Sequence, residues 1–149
     1  MGLIYPPFPG LRGSIGLLLI RGVTGAAFIF HGWPKIQNAT SWMGPNADMP
    51  GFMQAAAAVS EFAGGIALIV GLLTPLACLA IAGVMVTAIS TVHLKYGHAF
   101  VGKPGDPSWE LAAVYLCIVL AVLLLGPGKL SLDGLIFGRS RPAEGEPAA

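Results

Sequence analysis

The sequence predicts an all-α membrane protein, built as a four-transmembrane-helix bundle, and three observations predict it. Of its 149 residues, 55% are apolar and only 10% charged, against roughly 25% charged residues in a soluble domain. The apolar residues gather into four runs, at 14–33, 52–73, 76–94 and 109–126. Each run is near the roughly 20 residues that cross about 30 Å of hydrocarbon at 1.5 Å per residue. The runs are continuous, whereas the strands of a membrane barrel alternate over about ten residues. The same composition excludes general disorder, and a net charge of +1 leaves no basic stripe for nucleic acid.

The elements follow in order. The first run is preceded by Arg12 and itself contains Arg21, and no small-x-small cleavage site follows it, so it is read as an uncleaved helix. A long connection, Pro34 to Gly51, carries Trp42 and the turn signal Gly44-Pro45-Asn46. Only the corner Leu73-Thr74-Pro75 separates the second and third runs, which makes them an antiparallel hairpin, with Pro75 suited to a first helical turn. A second long connection, Lys95 to Ser108, emerges on the same face as the first. After Gly128 the chain lacks the apolar content to pack. Residues 1–138 are thus expected to form one domain and 139–149 a disordered tail.

Basic residues set the expected orientation. Arg12, Lys129, Arg139 and Arg141 lie on the terminal face, and Lys35, Lys95 and Lys103 on the long-loop face, which places both termini in the cytoplasm. Cys78 and Cys117 differ in depth by about 10 Å, too far for a disulfide, and read as small buried apolar residues.

Ionisable residues inside a bilayer are costly and by default mark a site or a partner. Arg21 and Glu61 lie mid-span, at about 16 Å and about 14 Å from the long-loop face. Their matching levels predict an Arg21–Glu61 ion pair, either a structural lock or the floor of a site. Toward the long-loop face the first helix adds His31 and Lys35, the third His93, and the fourth Glu110. Convergence of Arg21, His31, Lys35, Glu61, His93 and Glu110 on one polar pocket is the candidate ligand site. His98 and Asp106 lie in a loop and are expected to be solvated. No His-x-x-His or Glu-x-x-His spacing puts two ligands on one helix, so no metal site is assigned.

Small residues mark where helices approach in lipid. Gly22 and Gly25 flank Arg21, and Gly64 and Gly65 follow Glu61, which sets the charged stripes at a helix interface. Leu17 to Ile20, Ile66 to Val70 and Ile118 to Leu125 are the expected lipid-facing surfaces.

Arg21-Gly-Val-Thr-Gly-Ala-Ala-Phe-Ile-Phe-His31-Gly32-Trp-Pro-Lys35, then Glu61-Phe-Ala-Gly64-Gly65 and Gly71-Leu-Leu-Thr74-Pro75, resemble the DoxX family of small four-helix bacterial membrane proteins. The resemblance runs from about Ser14 to Gly128 and is sharpest in the first two helices. Its characteristic positions map onto Arg21, His31, Gly32, Lys35, Glu61, Gly64 and Gly65. It implies likeness to a subunit of thiosulfate:quinone oxidoreductase, a place in the bacterial cytoplasmic (inner) membrane, and links to membrane redox complexes and oxidative-stress defence.

The chain has no Cys-x-x-Cys-His, no iron–sulfur cysteine set and no Gly-x-Gly-x-x-Gly after a strand. No covalently bound cofactor is expected, and electrons would be carried by a quinone or by a redox partner protein. The leading expectation is therefore a quinone-associated subunit of a membrane redox complex, in contact with lipid and with no nucleic acid partner. Two alternatives are an oligomeric proton-coupled transporter, made of copies of this chain, and a non-catalytic structural subunit.

Overall fold

The computed structural model describes residues 8–137. Helix α1 is Leu11–Ile36, α2 Gly51–Val70, α3 Thr74–Ala88, α4 Glu110–Leu125 and α5 Leu132–Phe137, and a π-helical turn, Ile89–Leu94, continues α3. Counting that turn with α3, three helices are long and apolar enough to cross a membrane, and α4 is a shorter apolar helix. The expected four-helix bundle is what forms. The expected tail at 139–149 lies outside the described residues.

Neighbours in sequence are neighbours in space. The most extensive contact is between α1 and α2, followed by α3 with α4 and α2 with α3, while α1 and α4 meet over few residues. The core is a seam of Leu17, Phe28, Leu68, Ala77, Cys78, Ile81, Val119 and Val122. Both cysteines are free, Cys78 buried and Cys117 exposed. Leu19, Val23, Val59, Leu79, Val86 and Leu124 face outward, as lipid demands. The outward surface is therefore striped with helical period, and Leu17, Leu68, Val119 and Val122, expected to face lipid, are buried instead.

Glycine lets α1 and α2 touch backbone to backbone. A Cβ on Gly25 would stand 2.5 Å from the Gly65 carbonyl oxygen, and one on Gly65 would stand 2.7 Å from the Gly25 carbonyl oxygen. Gly32 gives the same access to the backbone of Phe62, and Gly64 meets the Ile81 side chain of α3. Gly22, expected at this contact, faces open space: it is one position, about 100°, round the helix from Arg21.

α1 also runs through Pro34 to Ile36, past its expected end at Trp33. A proline near a helix C-terminus forfeits one backbone hydrogen bond without ending the helix, and Lys35 stays on the helix as a result.

Residues 127–137 pack against the terminal face, contrary to the expectation of an unpacked chain after Gly128. Polar groups hold them. The Lys129 N–H donates to Ser14 Oγ at 3.0 Å, and the Asp133 N–H donates to the Gly71 carbonyl at 2.8 Å. The buried Asp133 carboxylate accepts the N–H groups of Leu73 at 2.9 Å and Thr74 at 2.8 Å. Asp133 thereby caps α3 from outside its own sequence neighbourhood, at a corner where Leu73 has a φ of 50°.

Candidate functional site

Arg21 and Glu61 do not pair. In a helix the Cα–Cβ bond leans toward the N-terminus, and α1 and α2 are antiparallel. From similar depths the two side chains therefore lean apart, Arg21 to the terminal face and Glu61 to the long-loop face.

Arg21 is fully buried, and its Nη2 donates to the Leu130 carbonyl at 2.6 Å. Nη1 occupies the space a Cβ on Gly71 would fill. Nε and Nη1 have no hydrogen-bond partner among the described residues, and the Asp133 carboxylate acts on the guanidinium through space. Arg21 is thus a clasp between α1, the α2–α3 corner and the C-terminal segment.

Glu61 instead pairs with Lys35, Nζ to Oε1 at 2.6 Å, with side chains 3% and 24% exposed. The Lys35 ammonium also sits over the Trp42 ring, 4.6 Å from its centroid. Trp42 is held in turn by Gln54, a buried residue on the Glu61 side of α2. The Trp42 indole N–H donates to the Gln54 carbonyl at 3.0 Å, the Met43 N–H to Gln54 Oε1 at 3.0 Å, and Gln54 Nε2 to the Met49 carbonyl at 2.8 Å. One amide side chain thus pins the first long connection across the end of the bundle.

Beneath that connection lies a cavity of about 340 Å³, between α2 and α3 with its π-helical extension. Lys35 and Glu61 are its charged lining. Met43, Met49, Phe52 and Met53 form one wall, and Gly83, Val84, Thr87, Thr91 and Val92 the other. A run of hydroxyl groups bonded back to their own helix leads into the π-helical turn and continues within it, Thr87 to Gly83, Ser90 to Val86 and Thr91 to Thr87. Such bonds bend helices, and π-helical turns recur beside functional sites.

The six expected ligand residues do not converge on one pocket. Lys35 and Glu61 line the cavity. His31 is exposed and outside the cavity lining, its ring 6.4 Å from those of Phe28 and Tyr115. His93 faces His98, Nδ1 to Nδ1 at 3.1 Å, so His98 is a partner rather than a solvated side chain. Glu110 is exposed at the start of α4, and Arg21 is at the opposite end of the bundle. Among the described residues no group of three or more His, Cys, Asp or Glu could hold a metal ion.

These positions coincide with a family pattern: the DoxX family model matches residues 16–94, which hold Arg21, Lys35, Glu61 and the glycines that join α1 to α2. The chain belongs to the DoxX family. Two DoxX-like relatives each align with 83% of it. "Putative oxidoreductase CatD" of Bacillus subtilis (strain 168) is 32% identical over 126 residues, 83% of this chain and 89% of the relative. "Inner membrane protein YqjF" of Escherichia coli (strain K12) is 28% identical over 128 residues, 83% of this chain and 93% of the relative. No solved structure matches.

Seen on the structure, the DoxX pattern in these two helices is one device. Gly25 with Gly65, and Gly32 with Phe62, bring α1 onto α2 closely enough for Lys35 to reach Glu61. Asp133 and Ser131 escaped the sequence reading, which gave Gln54 no role. Gln54 had a signal, as a polar residue seven before Glu61 on the same stripe; Asp133 had none, since it caps a helix 59 residues away.

Proposed function

We propose that this chain is the membrane-embedded, quinone-binding subunit of a redox system in the cytoplasmic (inner) membrane, its termini in the cytoplasm. The observation that carries the reading is an ion pair with a buried carboxylate, Lys35–Glu61, lining an otherwise apolar cavity between two membrane helices. About 340 Å³ suits a small aromatic head group, and the methionine and phenylalanine wall adapts to a flat ring. The buried Oε2 of Glu61 is a polar valence that no group among the described residues fills.

The residues present fit the group. Lys35 would donate to an oxygen of the head, and Glu61 would hold Lys35 in place and accept a hydroxyl proton. Trp42 and the loop pinned by Gln54 would keep water from the polar end. When bound, a quinone supplies a lipid-soluble carrier of electrons and protons, and a partner protein supplies the rest of the electron path. The relatives named "Putative oxidoreductase CatD" and "Inner membrane protein YqjF" support the reading.

The test is equilibrium binding of a short-chain quinone to the purified full chain in lipid nanodiscs. Saturable binding that weakens at least about tenfold in Lys35→Met supports the reading, a loss of roughly 1.4 kcal/mol. Absence of saturable binding to the folded wild-type chain contradicts it.

A further inference from the structure

We infer that the cavity selects the hydroxyl-bearing, reduced form of its ligand over the carbonyl form. The inference rests on the quinone reading above and adds which redox state the site holds. Its basis is the hydrogen-bonding polarity of the lining.

A hydroxyl group has one proton to give. Thr87 Oγ1 spends its proton on the Gly83 carbonyl at 2.8 Å, and Thr91 Oγ1 on the Thr87 carbonyl at 2.7 Å. Both side chains line the cavity and offer it lone pairs alone. Glu61 accepts from Lys35 through Oε1, and its Oε2 is buried without a donor among the described residues. The last torsion of a glutamate side chain is broad, so a modest turn of the carboxylate presents that oxygen to the cavity. On the donor side stands Lys35, one proton already committed to Glu61 and its charge set against Trp42. Ser60 can serve either way.

Acceptors therefore prevail at both walls, on α2 through Glu61 and on α3 through Thr87 and Thr91. A quinone carries two carbonyl oxygens and no proton to offer. Its two-electron, two-proton reduced form carries two hydroxyl groups, which donate to these acceptors and still accept from Lys35. Filling an unsatisfied buried acceptor removes a penalty that the carbonyl form leaves standing.

Three probes of one ring separate the cases: 2,3-dimethyl-1,4-naphthoquinone, its hydroquinone kept reduced under argon, and the redox-inert 1,4-dimethyl ether of that hydroquinone. Binding is measured on the full chain in nanodiscs. The hydroquinone is expected to bind at least about tenfold tighter than the quinone or the ether, a difference of roughly 1.4 kcal/mol. Glu61→Gln should bring the ratio toward one. Because loss of the ion pair can also impair folding, Thr87→Val serves as the second variant, and it should weaken the hydroquinone while leaving the quinone unchanged. Equal or tighter binding of the quinone overturns the inference and leaves the proposed function standing. Failure of all three probes to bind the folded chain overturns the proposed function itself.

Discussion

Arg21 and Glu61 begin at similar depths in neighbouring antiparallel helices and send their charges to opposite ends of the bundle. Arg21 reaches the Leu130 carbonyl at 2.6 Å, and Glu61 reaches Lys35 at 2.6 Å. The bundle therefore has one end closed by Arg21 and Asp133 and another where the Lys35–Glu61 pair lines a cavity. The predictions below separate the two.

At the cavity end, removing either charge leaves the other in a low dielectric, at unequal cost. Lys35 is 24% exposed and can turn toward the headgroups, whereas Glu61 at 3% cannot. Lys35→Met should therefore destabilise by about 2–4 kcal/mol and Glu61→Gln by less, with the double variant closer to the wild type than the sum of the two. Thermal unfolding in detergent across this cycle is the check, and additive losses would show that the pair is not coupled.

At the opposite end, Asp133→Ala should cost about 1–2 kcal/mol, the usual loss for an N-cap. The loss should be local. Hydrogen exchange should quicken at Leu73 and Thr74, whose N–H groups Asp133 accepts, while the cavity binds its ligand with unchanged affinity.

Three glycines with different surroundings give different outcomes for one substitution. Gly71→Ala should destabilise by about 1 kcal/mol or more, because φ is +71° and Arg21 fills the space. Gly65→Ala should separate α1 from α2, since a Cβ there meets backbone on α1. Gly22→Ala should be neutral or stabilise by up to about 1 kcal/mol, as the position is open and mid-helix. Melting temperatures of the three variants decide.

Outside the membrane, Lys95 donates to Asp48 at 3.0 Å and joins the two long connections. That hydrogen bond and the Asp48 charge hold the Lys95 pKa above its ordinary value. A raised lysine pKa means that the stabilisation is complete below the unfolded value, about 10.4, and is lost as pH rises through the folded value. The separation of spin labels placed beside residues 48 and 95 should hold from pH 7 to about 9.5, widen above about 10.5, and widen at neutral pH in high salt. Widening between pH 7 and 9 would assign the contact to other groups.

The fold was legible because hydropathy reports the solvent around a segment, and four continuous apolar runs admit few alternatives. The site was legible only in part. Glu61 and Lys35 stood out as charges in or beside apolar runs, but their pairing was hidden twice. Depths counted along Cα atoms ignored the lean of side chains toward each helix's N-terminus. Pro34 was read as a helix end, which removed Lys35 from the face that meets α2. Asp133 was invisible for a different reason: a cap supplied across 59 residues leaves no local spacing to recognise. The C-terminal segment read as unpacked because the apolar content of the whole stretch after Gly128 was the measure, whereas hydrogen bonds to Ser14 and Gly71 and from Arg21 hold it.

The central claim is that an aromatic, lipid-soluble carrier sits between α2 and α3 against Lys35 and Glu61. Photocrosslinking tests it most directly. An azido-quinone is added to the full chain in nanodiscs, irradiated with and without excess unlabelled quinone, and the labelled peptides are mapped by mass spectrometry. The account predicts competed label on Phe52 to Glu61 and on Gly83 to Val92, lost in Lys35→Met. Competed label confined to α4 or to the outward face of α1, with those two segments unlabelled, would contradict it.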